Sequence, residues 1–271
     1  MFEHTSAHAE QSTYGEAAHE RVGFFTDTTL CIGCKACEVA CKEWNDLPVE
    51  GYSFAGQSYD NTGELSGTTW RHVAFVEQRT SEGSTRWLME SDVCKHCTHA
   101  ACLDVCPTGA IVRSEFGTVV IQDDICNGCA YCVSACPYGV VAKQETGHGH
   151  GGAGKCTMCY DRLKIGKEPA CAKTCPTDSI QFGKLDELRE RAQARLTEIG
   201  ARYDGARLYG NDPDDGVGGT GSIFLLLDRP EVYGLPPNPV VPTKRLGEMW
   251  TSAALAAGAL ALVFAGALAR K

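Results

Sequence analysis

The sequence has little positive charge for its length. Its 25 lysines and arginines are outnumbered by 34 aspartates and glutamates, so the formal net charge of the 271-residue chain is −9. Proteins that bind nucleic acid do so largely by neutralising phosphates with clustered basic side chains. The acidic balance therefore argues against a nucleic-acid partner.

The beginning of the sequence contains no apolar run that could form the hydrophobic region of a secretory signal peptide. Residues 1–22 are polar and show no periodic pattern, so we predict that they form a mobile arm. This arm carries His4, His8 and His19, for which solvated positions are a simpler interpretation than a metal site.

Motifs of enzymatic catalysis are also missing. No nucleophile and base occur in a recognisable arrangement. The glycine-rich stretch GVGGTG (216–221) precedes the strand-like run SIFLLLD and does not open a helix. It is therefore predicted to form a turn and not a phosphate-binding loop. We expect a non-catalytic protein, with no catalytic residue in this chain.

Cysteine, by contrast, is abundant, with 16 residues in four sets. An even number of cysteines can indicate disulfide bonds. Such bonds mainly stabilise small secreted domains, whereas this chain is long and shows no signal peptide. We therefore interpret the cysteines as metal ligands.

The third cysteine set, CNGCAYCVSACP (126–137), has the spacing C-x2-C-x2-C-x3-C-P, which is typical of bacterial iron–sulfur proteins. Three of its cysteines are expected to bind one [4Fe-4S] cluster and the fourth a neighbouring cluster. CIGCKACEVAC (31–41) repeats this spacing, and CKHCTHAACLDVCP (94–107) and CTMCYDRLKIGKEPACAKTCP (156–176) each widen one gap. Zinc knuckles are the alternative, but they explain neither the third cysteine of each set nor the recurring C-x3-C-P.

The residues that follow the last cysteine also repeat in three sets. CPTGAIV (106–112), CPYGVV (136–141) and CPTDSIQF (175–182) each run through a turn into a β-rich stretch. A cysteine loop, a short helix, a turn and a strand make one half of a bacterial ferredoxin, and two halves enclose two clusters. Four halves therefore predict an α+β fold with two ferredoxin-like modules and four [4Fe-4S] clusters.

The spacing leaves two ways of pairing the halves. Sets two and three are close in sequence, so we predict that they form one module, inserted into a second module made by sets one and four. Pairing in sequence order is the alternative. With a crossed fourth ligand, nested pairing assigns the cysteines to these four groups: Cys31, Cys34, Cys37 and Cys175; Cys41, Cys156, Cys159 and Cys171; Cys94, Cys97, Cys102 and Cys136; Cys106, Cys126, Cys129 and Cys132.

Several of these stretches resemble the iron–sulfur subunits that accompany molybdopterin oxidoreductases, namely CIGCKACEVACKEWN, CNGCAYCVSACP and CTMCYDRLKIGKEPACAKTCPT. Within that group, LYGNDPDDGVGGTGSIFLLLDRPEVYGLPPNP (208–239) and the terminal helix resemble the beta subunit of membrane-bound formate dehydrogenase. The resemblance implies the nested pairing and, with all sixteen cysteines present, four [4Fe-4S] clusters. It also implies two partners: a catalytic molybdenum or tungsten pterin subunit that oxidises formate, and a membrane subunit of the cytochrome b or quinone-reactive type.

Lysines recur beside the cysteines. A positive charge near a ligated cluster favours its reduced form and raises its potential. A solvated surface position is nevertheless the simpler interpretation for any one of them. The lysines concerned are Lys35, Lys42, Lys95, Lys155 and Lys173.

Outside the cysteine sets, periodic patterns predict further elements. In KLDELRERAQARLTEIG (184–200), Leu185, Leu188, Ala192, Leu196 and Ile199 share one helical face. Alternation in RHVAFVEQR and TRWLME predicts short strands within the insertion of residues 45–93, which is either a partner contact or a surface decoration. The predicted segments are an arm (1–22), a double ferredoxin-like domain (23–183, with the inserted module at about 90–142), a covering helix and strand segment (184–245) and a transmembrane helix (246–271).

The stretch MWTSAALAAGALALVFAGALA (249–269) contains no charged residue. As a helix it would be about 31 Å long, which matches the hydrocarbon core of a bilayer. A buried core helix is the alternative, but Trp250 and the flanking pairs Lys244–Arg245 and Arg270–Lys271 favour one membrane span. Because two basic residues flank each end of the span, the positive-inside rule favours neither orientation. The resemblance favours a location of the chain on the outer face of the cell membrane.

These features together predict an electron-transfer subunit that passes electrons from a formate-oxidising subunit through four [4Fe-4S] clusters to a membrane subunit. Two alternatives remain at this point. The chain could serve a hydrogenase or another molybdopterin reductase in the same way, or it could be a zinc-stabilised structural scaffold without a redox role.

Overall fold

The structure is a computed structural model that describes residues 20–49, 56, 58–79, 83–144 and 151–268. Residues 1–19 of the predicted arm, with its three histidines, lie outside the described residues. The mobile arm therefore stays a prediction.

A four-stranded sheet joins parts of the chain that are distant in sequence. Its strand order is β8 (Ile180–Lys184), β1 (Val22–Asp27), β10 (Ser222–Leu226) and β9 (Arg207–Tyr209). β1 pairs with β8 in antiparallel and with β10 in parallel orientation, while β10 and β9 are antiparallel. All five residues of β10 are buried, as expected for a central strand that is covered on both faces. The sheet thus places the strand before the first cysteine set beside the strand after the last one.

Three two-stranded antiparallel sheets accompany the cysteine loops. They pair β2 (Arg71–Arg79) with β3 (Thr85–Val93), β4 (Ile111–Arg113) with β5 (Val119–Ile121), and β6 (Ala142–Lys143) with β7 (Ala153–Gly154). The two strands predicted in the insertion are confirmed. Since β2 and β3 bury Val73, Leu88 and Val93 in the main core, these two strands of the insertion pack in the interior.

Short helices follow the cysteine loops, as the ferredoxin pattern predicts. They are α1 (Ala36–Trp44), α2 (Ala101–Asp104), α3 (Tyr131–Ala135), α4 (Tyr160–Lys164) and α5 (Ala170–Lys173). In each case a cysteine lies in the helix or directly before it.

The predicted helix over residues 184–200 is confirmed as α6 (Leu185–Gly200). Its buried side chains pack against Phe25, Ile223 and Leu225 on one face of the four-stranded sheet. Phe24 and Phe224, from the opposite face, belong to the core that contains the cysteines. α6 therefore covers the outer face of the sheet. Strands β9 and β10 lie in the same sheet as β1, so the segment after residue 183 packs together with the segment before it, and the domain boundaries stay predictions.

The C-terminal helix α7 (Leu246–Leu268) begins at the first residue of the predicted transmembrane segment 246–271, three residues before the charge-free stretch. The stretch Pro242–Leu268 contains an 18-residue apolar window with a mean hydropathy of 1.9, and none of this window is buried in the protein. Leu255 and Leu262 are 76% and 75% exposed, which is unfavourable for large apolar side chains in water. This exposure argues against the buried core helix, and one C-terminal helix is long and apolar enough to span a membrane.

Candidate metal centres

The four cysteine loops share one unusual backbone feature. In each set the residue directly before the second cysteine has a positive φ: Gly33 (66°), His96 (45°), Gly128 (70°) and Met158 (59°). Left-handed backbone is unfavourable for residues other than glycine, so it persists only where the surrounding structure requires it. The recurrence indicates that all four loops turn in the same way to bring their cysteines together.

Three cavities in the interior are each bordered by four cysteines. In every case three of them come from one set and the fourth comes from another set. The first cavity is bordered by Cys31, Cys34, Cys37 and Cys175, the second by Cys41, Cys156, Cys159 and Cys171, and the third by Cys94, Cys97, Cys102 and Cys136.

The remaining four cysteines also lie together, closer to the surface. Cys132 is buried and packs in one cluster with Cys106 and Cys126. Burial raises the pKa of the Cys132 thiol, and the neighbouring thiols of Cys126, Cys106 and Cys129 add to the increase. Cys129 itself is exposed. The structure therefore brings all sixteen predicted residues into the four predicted groups, while their role as cluster ligands stays a prediction.

The geometry does not match a site for a single ion. Within the described part of the chain, no three His, Cys, Asp or Glu side chains converge closely enough to hold one metal ion. Four thiols around a wider cavity suit a cubane, in which each iron takes one thiolate. The donor set is sulfur throughout, which also fits an iron–sulfur cluster.

Burial makes most of these thiols poor acids in the absence of metal. It raises the pKa of Cys37 and of Cys102 to about 12, and that of Cys159 to about 11. Only thiolates bind iron, so these cysteines need a positive partner when they ionise. Bound iron would supply such a charge, and nearby basic side chains would add to it.

The lysines predicted beside the cysteines differ in their surroundings. Lys95 and Lys155 are 1% and 2% exposed, so the solvated interpretation is wrong for these two. Lys95 borders the third cavity, and the charge of Lys155 acts to lower the pKa of Cys102, against the larger effect of burial. Lys35 is half-buried beside the first cavity, whereas Lys173 is exposed and pairs with Glu168.

His96 also borders the third cavity and is buried. The backbone N–H of Val119 donates to its Nδ1 at 3.0 Å. Burial and the charge of Lys155 hold its pKa well below the usual value, so the imidazole is neutral. His96 thus supports the cysteine loop by packing and hydrogen bonding.

Arg71 is a further residue of the site, and the motifs of the sequence did not point to it. It is 1% exposed and borders the second cavity together with Phe24 and the four cysteines. A signal was present in the sequence, because Arg71 lies in phase with Val73 in the alternating stretch RHVAFVEQR. In a strand, residues two apart face the same side, so Arg71 was placed to point into the core.

Comparison with protein families supports the chemistry of the cysteines. Two family models, each described as a 4Fe-4S dicluster domain, match residues 85–185 and 30–110. With sixteen cysteines, these matches support four [4Fe-4S] clusters. The fold and the cysteine groups thus belong to a ferredoxin-like iron–sulfur protein.

Curated relatives narrow this class. The iron–sulfur subunit of the nitrate-inducible formate dehydrogenase of Escherichia coli (strain K12) is 40% identical over 247 residues, covering 89% of this chain and 81% of the relative. The formate dehydrogenase iron–sulfur subunit of Haemophilus influenzae is 40% identical over 79% of this chain and 68% of the relative. A subunit of the anaerobic dimethyl sulfoxide reductase of Escherichia coli is 41% identical over 62% of this chain and 76% of the relative. This chain belongs to the family of formate dehydrogenase iron–sulfur subunits.

Proposed function

We propose that this chain passes electrons, through four [4Fe-4S] clusters, from a formate-oxidising molybdopterin subunit to a cytochrome b-type or quinone-reactive subunit in the membrane. The observation that carries the proposal is the arrangement of the sixteen cysteines in four groups of four. Each group combines three cysteines of one set with one of another, which is the crossed ligation of bacterial ferredoxins. We assign the four groups as the ligands of the four clusters.

In this assignment the fold consists of two nested ferredoxin-like modules. Support comes from the first two groups, which combine sets one and four, and from the other two, which combine sets two and three. The pairing of β1 with β8 also joins the two ends of the module that is formed by sets one and four. When bound, the clusters supply one-electron oxidation and reduction, and the chain holds them apart from bulk water and at fixed positions. No catalytic residue is proposed for this chain.

The four cysteine groups differ in solvent exposure, which indicates which clusters could exchange electrons with a partner subunit. Cys34 and Cys129 are exposed, whereas Cys41, Cys156, Cys159 and Cys171 of the second group are all buried. A relay needs surface clusters that exchange electrons with partners and internal clusters that connect them. The first and fourth groups are suited to the surface positions, and the second to an internal one.

Attachment to the membrane is proposed through residues 249–269, which α7 includes up to Leu268, in contact with the lipid bilayer and with the membrane partner. The support is the exposed apolar helix near the end of the chain. We place the bulk of the chain on the outer face of the membrane, following the family resemblance of the sequence. Tagging each side of the span with a reporter active on only one side of the membrane tests that orientation.

A dimethyl sulfoxide reductase partner is the second candidate, because a subunit of that enzyme matches 62% of this chain. The formate dehydrogenase relative matches 89%, including much of the region after the cysteine sets. This longer match favours formate. The zinc-stabilised scaffold is less well supported, since both matching family models are described as 4Fe-4S dicluster domains.

Purification of the tagged chain from membranes in mild detergent tests the proposal. We expect a molybdopterin subunit and a membrane subunit to copurify, and the chain to carry about 16 iron and 16 sulfide. Formate should bleach the absorption of the clusters in this complex. Bleaching by another donor but not by formate would contradict the proposed partner, and zinc in place of iron would contradict the proposed function.

A further inference from the structure

Arg71 is a buried, charged residue whose role the proposed function does not yet explain. Its side chain is buried between elements that carry the first and second cysteine groups. Burial acts to lower the Arg71 pKa, but the negative charges that Cys171, Cys37, Cys156 and Cys41 carry once they ionise hold it above its usual value. One guanidinium therefore acts on thiols of both groups.

Specific contacts fix the position of this guanidinium. Nη1 donates to the backbone oxygen of Ser91 at 3.2 Å and to its hydroxyl at 3.1 Å. The ring of Phe24 lies beneath the Arg71 Cζ, 4.8 Å from it to the ring centre. The Ser91 hydroxyl in turn lies 3.3 Å from the sulfur of Cys37. Arg71 thus borders the second cavity directly and reaches the first group through Ser91.

Two donor atoms of Arg71 lack an acceptor in the part of the chain that the structure describes. Its Nε and Nη2 atoms are buried and form no hydrogen bond within the described residues. Buried donors of a charged group almost always have a partner, because leaving one unsatisfied is unfavourable by about 1–3 kcal/mol or more. The second cavity, which Arg71 borders, would hold the sulfur atoms of a cluster, and these are suitable acceptors.

Nor does any described carboxylate form an ion pair with Arg71. None of the ion pairs between described residues involves Arg71. Glu90, next to Ser91 on β3, is fully buried, and both its oxygens lack a hydrogen bond among the described residues. Burial and the nearby Asp92 raise the Glu90 pKa well above its usual value, against the smaller opposing effects of Lys95 and Arg71, which favours the neutral carboxyl. Asp92 itself pairs with Lys95.

We propose that Arg71 sets the reduction potentials of the first and second clusters, by holding one fixed positive charge between them and donating hydrogen bonds from Nε and Nη2 to cluster sulfur. This inference rests on the proposed ligand groups. A ligated cluster is negatively charged, and reduction adds one electron while no bond forms or breaks. A buried cation stabilises the added charge strongly, because the interior screens it little. Arg71 therefore raises both potentials and keeps the neighbouring clusters reducible.

The test is a redox titration of the purified complex, followed by EPR, with the signals assigned through cysteine variants. Arg71→Met should lower the midpoint potentials of the first and second clusters, by at least the equivalent of a tenfold change in the reduction equilibrium, or about 59 mV for one electron. Arg71→Lys keeps the positive charge, so its two midpoint potentials should stay nearer those of the wild type. Arg113→Met is the matched control. It removes another buried arginine, which donates to the carbonyls of Cys97 and Thr98, and should leave the first two potentials unchanged.

Arg71→Gln provides a second test if the methionine variant does not retain its iron. It is neutral but keeps hydrogen-bond donors, and it should also lower both potentials. Full iron content with both potentials unchanged in the neutral variants would overturn the inference, while the electron-transfer function would stand. A shift of the same size after Arg113→Met would overturn it too, since the effect would then not depend on the position of Arg71.

Discussion

Cys31 and Cys175 belong to the first and last cysteine sets, yet they border the same cavity. Burial raises the pKa of the Cys31 thiol, and the neighbouring Cys175 thiol adds to the increase, so the two sulfurs interact. Their proximity depends on the pairing of β1, just before Cys31, with β8, just after Cys175. The sheet therefore determines which distant cysteine completes the first group.

A first prediction concerns this crossed arrangement. Cys31→Ser and Cys175→Ser should disturb the same EPR signal, because both sulfurs are proposed to bind one cluster. Cys41→Ser should instead disturb the signal that Cys156→Ser affects. EPR spectra of the reduced single variants provide the measurement. A common signal altered by both Cys31→Ser and Cys41→Ser would show that the set ligates a single cluster and that the assignment is wrong.

The turn of the first loop leads to a second prediction. Gly33 has a φ of 66°, and a Cβ atom there would lie 2.7 Å from the sulfur of Met89 and from the ring of Phe75. We expect Gly33→Ala to combine backbone strain of about 1 kcal/mol or more with this clash. The variant should lose the signal of the first cluster and about four iron atoms per chain.

Gly139→Ala is the matched control for this variant. Gly139 also has a φ of 66°, but no atom would lie within 4 Å of its added Cβ. It should retain full iron content, because only the backbone strain applies. Equal loss of iron in both variants would show that the contacts with Phe75 and Met89 are unimportant.

A third prediction concerns the helix that covers the sheet. Leu188 is 1% exposed and lies on the face of α6 that packs against the sheet, whereas Glu190 on the same helix is exposed. Leu188→Ala should destabilise the fold by about 2–5 kcal/mol, since it leaves a cavity at the interface. Glu190→Ala should change the stability by less than about 0.5 kcal/mol. The thermal midpoint of cluster bleaching measures both, and similar midpoints would contradict the packing role of α6.

A fourth prediction separates the anchor from the clusters. Truncation should follow Arg245, because Val241 is buried and Lys244 donates to the backbone oxygen of Asp215. The shortened chain should keep all four clusters, since the last cysteine is Cys175. It should leave washed membranes together with its catalytic partner, as its apolar helix is gone.

The activities of the truncated complex complete this test. Formate oxidation with a soluble dye should persist, and electron delivery to membrane quinone should fall to background. A Trp250→Phe variant, with the helix intact, should retain both activities. Quinone reduction at the normal rate by the truncated complex would show that α7 is not the functional anchor.

Some parts of the structure were predictable because they depend on short-range patterns. The face of α6 follows from the spacing of Leu185, Leu188 and Ala192, and the strands β2 and β3 follow from alternation. Other parts depend on long-range pairing. The sequence indicated a strand at SIFLLLD but not that β10 lies parallel to β1 in the centre of a sheet.

The sequence by itself determined the iron–sulfur chemistry expected of this protein. Cysteines separated by only two or three intervening residues must lie close together, wherever the rest of the chain runs. The number of cysteine groups and the apolar terminal helix follow from such local spacing and composition. Only the tertiary structure decided which remote cysteine joins each loop, and that Arg71 is buried between two groups without an ion-pair partner among the described residues. Both depend on how separate strands pair, and strand pairing is set by the burial of whole faces, not by any single stretch of sequence.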